Sequence, residues 1–113
     1  MLLVEDDLVT ATALIAILKR RGFDVLLATT VAQGMAMLAR EPAYIVLDLM
    51  LPDGDGIALL QHIRDHALPV RVLVTTAVSD PTRLGEVRRL TPDVLMQKPI
   101  DLHDLLKLIV YPN

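Results

Sequence analysis

The chain has 113 residues, 53% of them hydrophobic and only 3% aromatic, with a net charge of −3. That length suits one domain with an aliphatic core, and the lack of cysteine excludes a disulfide scaffold and thiol catalysis. The acidic balance gives no electrostatic footprint for nucleic acid, and no apolar run approaches the roughly 20 residues of a membrane span.

Short apolar runs alternate with amphipathic stretches along the whole chain. Residues 1–4 (Met-Leu-Leu-Val) read as a buried strand with no signal peptide before it. Leu8, Ala11, Ile15 and Leu18 then repeat at helical spacing over 8–21, with Lys19, Arg20 and Arg21 in the last turn and Gly22 as a stop. Residues 25–28 form a second strand. Thr30-Val31-Ala32-Gln33 has the capping-box form, and Val31, Met35 and Leu38 give the next helix its stripe. Tyr44-Ile45-Val46-Leu47 is apolar on both faces and therefore reads as a central, parallel strand. A Pro/Gly/Asp loop over 51–56 leads to a third helix marked by Ile57, Leu60 and Ile63.

The second half repeats the pattern. Residues 70–75 are a fourth strand, and Asp80-Pro81 is an N-cap followed by proline at the first helical position. That fourth helix is the weakest, with Gly85 inside it and only Leu84, Val87 and Leu90 as an apolar side. Residues 93–96 are a short fifth strand, and Asp101 caps a last helix carrying Leu102, Leu105, Leu106 and Ile109. With no linker or repeat, the expectation is a single cytoplasmic α/β domain over 1–113. It is a flavodoxin-like (βα)5 three-layer sandwich around a parallel five-stranded sheet of order 2-1-3-4-5.

Ligands of such sheets bind outside the carboxyl ends of the strands, at the switch point between strands 1 and 3. Strand 1 ends in Glu5-Asp6-Asp7, strand 3 in Asp48, strand 4 in Thr75-Thr76 and strand 5 in Gln97-Lys98-Pro99. Carboxylates held close together resist joint ionisation, and a hard cation such as Mg²⁺ relieves them through oxygen ligands. A carboxylate is also a competent nucleophile toward phosphorus, and phosphoryl transfer asks mainly for positioning and charge neutralisation. Lys98 suits a phosphoryl oxygen as a point charge, and a threonine hydroxyl suits another. Asp7 reads as a helix cap, and Asp53 and Asp55 as turn and cap residues, because their loop lacks the length and terminal Glu of a calcium-binding hand. His62 and His66, four apart, read as a solvated helix face, and Arg83, Arg88 and Arg89 as a surface face open to a partner.

Val4-Glu5-Asp6-Asp7, the run from Val46 to Gly56 through Asp48-Leu49-Met50-Leu51-Pro52, Val74-Thr75-Thr76-Ala77 and Gln97-Lys98-Pro99 together resemble the receiver domains of bacterial response regulators. The resemblance covers essentially the whole chain. It implies that Asp48 is the phosphoacceptor, receiving its phosphoryl group from the phosphohistidine of a histidine kinase or phosphotransfer protein. It implies that Mg²⁺ is held by Asp6, Asp48 and the backbone carbonyl of Met50, with Glu5 acting through a water. Thr76, followed by Ala77 as in the family, and Lys98 would take the phosphoryl oxygens; Thr75 competes for the hydroxyl role. A cis Lys98–Pro99 bond is also implied.

The output face would be helix 4, strand 5 and helix 5, meeting a second copy or an output domain, with no direct contact to nucleic acid or membrane. Receivers often carry Tyr or Phe three residues before the lysine. Leu95 stands there in this chain. A smaller repacking, led by Thr76 and residues 77–80 with helix 4 responding, is therefore expected. Two other readings are weaker. An aspartyl-phosphate phosphatase would carry a second Asp where Met50 stands, and a degenerate, phosphorylation-independent module would lose part of the acidic set or the lysine. Beyond its own phosphorylation and dephosphorylation, no catalysis is expected.

Overall fold

In the computed structural model, which describes residues 1–109, strands and helices alternate as the apolar runs require. The order is β1 (Leu2–Val4), α1 (Leu8–Arg20), β2 (Leu26–Ala28), α2 (Val31–Leu38), β3 (Tyr44–Asp48), β4 (Met50–Leu51), β5 (Gly54–Asp55), α3 (Ile57–Asp65), β6 (Arg71–Thr76), α4 (Pro81–Arg89), β7 (Val94–Gln97) and α5 (Leu102–Leu108). Residues 110–113 of the expected domain lie outside the described residues.

Five of the strands form one parallel sheet of order β2-β1-β3-β6-β7. With the β4–β5 hairpin left out, this is the expected flavodoxin-like order. Successive strand residues point to opposite faces, so β3 feeds two cores. Ile45 and Leu47 join Leu59, Leu60, Ile63 and Val87 on one side; Val46 joins Leu3, Leu14, Leu18, Leu73 and Leu105 on the other.

Side-chain caps set the helix starts. Asp7 accepts from Val9 and Thr10, Thr30 from Gln33, Asp80 from Thr82, and Asp101 from His103 and Asp104. Gly56 gives α3 no such cap. Asp55 supplies it instead, accepting the Ile57 N–H at 2.9 Å.

Two findings go beyond the sequence reading. The loop over 51–56 closes as the small hairpin β4–β5, pairing Met50 with Asp55 and Leu51 with Gly54. Its return past the end of β3 requires glycine at position 56, where a Cβ would lie 2.4 Å from the Asp48 carbonyl oxygen and 2.8 Å from Leu49 Cα. The second concerns α4. Its apolar side is as thin as expected, with Leu84 and Val87 buried, yet both ends are tied down. Arg83 pairs with Asp55 near the start of the helix, and at the far end Arg64 of α3 donates to Leu90 O (2.8 Å) and Thr91 O (2.7 Å).

Candidate functional site

Parallel strands deliver their carboxyl ends to one edge, and there the polar residues of β1, β3, β6 and β7 meet. Glu5 and Asp48 are 2% and 4% exposed, while Asp6 is open to solvent. One carboxylate oxygen from each of the three lies within 4.8 Å of the other two. Lys98 Nζ donates to Glu5 Oε1 at 2.9 Å and to Asp48 Oδ2 at 3.1 Å. The other Asp48 oxygen accepts the Met50 N–H at 3.2 Å, and Glu5 Oε2 accepts the Asp7 N–H at 3.3 Å.

Thr76 is fully buried, and its hydroxyl oxygen accepts the Val78 N–H at 2.9 Å. The Lys98 N–H donates to Thr76 O at 2.8 Å, so the end of β6 lies directly beside the lysine. The Lys98–Pro99 bond is cis, as expected. Thr75 is also buried and sits opposite Asp48 in the ladder, whereas Thr76 sits opposite Gln97.

The electrostatics follow from this packing. Burial pushes the Glu5 carboxyl up, neighbouring Asp48 adds to that, and Lys98 offsets only part of it. Burial acts against the Lys98 ammonium as its largest single influence. The hydrogen bonds and charges of Glu5 and Asp48 together outweigh it and hold the group above the ordinary lysine value. Three carboxylates face one ammonium, so the edge carries excess negative charge on oxygen donors alone. That donor set fits a hard divalent cation such as Mg²⁺.

The remaining candidates fall elsewhere. His62 on α3 and His66 at its C-cap pack their rings at a tilt, centroids 4.1 Å apart, and among the described residues the metal-capable cluster is Glu5, Asp6 and Asp48. An apolar cavity of about 350 Å³, lined by Leu38, Pro42, Ala43, Leu68 and Val70, lies at the opposite end of the strands and contains no site residue.

Asp53, read with Asp55 as a turn and cap residue, does cap a helix, and the helix is a distant one. It grips the start of α2, accepting from Val31 N at 2.7 Å and Ala32 N at 3.1 Å. The Asp55–Arg83 pair also escaped the sequence reading. No local pattern announces either contact, since each joins residues more than twenty positions apart.

Comparison with known proteins agrees with this geometry. Residues 1–110 match the family model of the response regulator receiver domain. The photosynthetic apparatus regulatory protein RegA of Rhodobacter capsulatus is 36% identical over 107 residues, covering 93% of this chain and 58% of RegA. The acid tolerance regulatory protein ActR of Rhizobium meliloti (strain 1021) is 31% identical over 111 residues, covering 97% of the chain and 57% of ActR. The chain thus spans less than two thirds of these relatives. The signal receiver domain of a Luxo repressor-type protein from Vibrio parahaemolyticus superposes with a TM-score of 0.86 at 27% identity, over 94% of this chain and 82% of that one. Sequence match, strand order and the acidic edge converge on one assignment: the chain belongs to the response regulator receiver domain family of two-component signalling.

Proposed function

We propose that this receiver accepts a phosphoryl group onto Asp48 from the phosphohistidine of a histidine kinase or phosphotransfer protein. The observation that carries the reading is the placement of Asp48. It lies at the end of the central strand, almost wholly buried, held by Lys98 on one oxygen and the Met50 N–H on the other. Receiver domains are not enzymes in the ordinary sense, and here the chain would catalyse only its own phosphorylation and dephosphorylation.

An Asp48 oxygen attacks phosphorus, the P–N bond to the donor imidazole breaks, and the electron pair leaves with the imidazole nitrogen. Lys98 carries positive charge toward the transferring oxygens, and the Thr76 hydroxyl exchanges its bond to Val78 for one donated to a phosphoryl oxygen. Receivers bind Mg²⁺ at their acidic pocket, and the residues that would hold it here are Asp6, Asp48 and the Met50 carbonyl, with Glu5 acting through a water. When bound, the ion supplies charge neutralisation that one lysine cannot supply alone.

Among the described residues no helix is long and apolar enough to cross a membrane, which is compatible with action in the cytoplasm. Output would leave through α4, β7 and α5 to a second copy or an output domain. Exposure to acetyl phosphate with Mg²⁺, followed by mass-spectrometric mapping, should find one phosphoryl group on Asp48 and none on Asp48→Asn. Undiminished labelling of the variant would refute the assignment.

A further inference from the structure

A single ion pair joins the hairpin after Asp48 to α4. Met50 faces Asp55 across β4–β5, and the Met50 N–H bonds the Asp48 carboxylate at 3.2 Å. Asp55 uses one oxygen to cap Ile57 at 2.9 Å and the other to meet the Arg83 guanidinium. A short chain of contacts therefore runs from the Asp48 side chain through the hairpin to the first turn of α4.

The two ends of α4 are held unequally. At its C-terminal end Arg64 makes two charge-assisted bonds to carbonyl oxygens, 2.8 and 2.7 Å long, and Val87 is fully buried. Near its N-terminal end stand exposed contacts: the Asp80 cap and the Arg83–Asp55 pair, whose side chains are 32% and 34% exposed. Gly85 lies between the two ends. Although Leu84 is buried in its first turn, the start of the helix is the more weakly tied part, and it can shift about the end fixed by Arg64.

We propose that Arg83 is a positioning residue. Through Asp55 it holds the Met50 side of the site and the start of α4 in one joint arrangement, linking helix position to phosphoryl affinity. The inference rests on the reading of Asp48 as phosphoacceptor. The tie belongs to the arrangement in which Lys98 bonds Asp48 directly and Thr76 accepts from Val78. Phosphorylation redirects both groups, so losing the tie favours the alternative arrangement. Linkage is reciprocal: what loosens α4 also raises affinity for a phosphoryl group. An exposed ion pair of this kind shifts such an equilibrium by about two- to five-fold.

The test uses the whole chain with Mg²⁺ and beryllium fluoride as phosphoryl mimic. It follows binding by ¹⁹F NMR and α4 by amide shifts, in wild type, Arg83→Gln, Arg83→Lys and Arg88→Gln. Arg83→Gln should bind the mimic about two- to five-fold tighter, and before addition its amides over 80–85 should already lie partway toward their mimic-bound positions. Arg83→Lys should restore wild-type behaviour, and Arg88→Gln, on the exposed side of the helix, should not differ from wild type. A merely structural role for Arg83 would lower stability without tightening binding. Equal or weaker affinity in Arg83→Gln, with wild type binding normally, overturns the tether alone. Failure of wild type to bind the mimic overturns the Asp48 reading and the linkage with it.

Discussion

Asp6→Asn should raise the stability of the metal-free protein, and Mg²⁺ should remove most of that advantage by stabilising wild type more than the variant. One Asp6 oxygen lies within 4.8 Å of an oxygen of Glu5 and of Asp48, while Lys98 directs its bonds to the other two carboxylates. At that separation a pair of like charges costs about 0.9 kcal/mol in a water-like dielectric and about 3.5 kcal/mol at an effective dielectric of 20. Asp6 is exposed, so the lower figure governs, and relief of two repulsions should yield roughly 1–2 kcal/mol at low salt and less as salt screens them. With metal present, a ligand at ten times its Kd stabilises the native state by about 1.4 kcal/mol. The variant, having lost a proposed ligand, should gain far less. Urea unfolding followed by circular dichroism, in EDTA and then in Mg²⁺ at about ten times the wild-type Kd, reads both effects. A variant less stable than wild type in EDTA would refute the repulsion argument. Equal stabilisation of both proteins by Mg²⁺ would refute the ligand role.

Two glycines should respond oppositely to alanine. At Gly56 a Cβ would meet main-chain atoms at 2.4 and 2.8 Å, and the backbone displacement this forces should cost about 3 kcal/mol in urea unfolding. At Gly85 nothing lies within 4 Å, so Gly85→Ala should stabilise by roughly 0.5–1 kcal/mol through helix propensity alone. The third prediction concerns acid. Hydrogen bonds from Val31 and Ala32 hold the Asp53 carboxyl below its ordinary value of 3.8, so its contribution is present above that pH and lost as pH falls through the lowered native value. Asp53→Asn should therefore be less stable than wild type at neutral pH, and thermal scans should show the two converging in strong acid.

The fold was legible because its determinants are periodic. Short apolar runs between capped helices leave few topologies open, and the expected strand order is the one observed. The acidic edge was legible for a related reason. Parallel strands deliver their carboxyl ends to one side, so residues directly after each run, Glu5, Asp6, Asp48, Thr76 and Lys98, can be placed together without knowing any distance. What stayed hidden are contacts set by three-dimensional packing between distant segments. Asp53 reaching α2, Asp55 meeting Arg83 and Arg64 closing the end of α4 each depend on how loops cross over the strand ends. The thin apolar side of α4 was legible, but its polar ties were not: hydrophobic periodicity measures apolar attachment and is blind to an arginine, Arg64, that acts from another helix.

Those hidden contacts bear on how a receiver with Leu95 can switch. An aromatic at that position would offer a large ring to move between exposed and buried sites. Leu95 is already partly buried and packs against the same apolar cluster as Val87 beneath α4. Turning it outward would expose aliphatic surface at about 25 cal/mol per Å² and leave a gap under the helix, with no polar group to compensate. The signal is therefore better carried by polar ties that exchange partners at small cost. Three of them border the segment between Asp48 and α4: the Val78 N–H on the Thr76 hydroxyl at 2.9 Å, the Gln97 amide on Val78 O at 3.2 Å, and Arg83 on Asp55. On the phosphoacceptor reading, the first is the tie that Thr76 would give up in swinging toward a phosphoryl oxygen. Its loss frees the Val78 N–H beside the Gln97 bond and leaves Arg83–Asp55, with the Asp80 cap, as the polar restraints on the first turn of α4. The modest strength of that exposed pair is what allows a single phosphoryl group to move the helix, whereas a buried bridge in its place would need several kcal/mol to break.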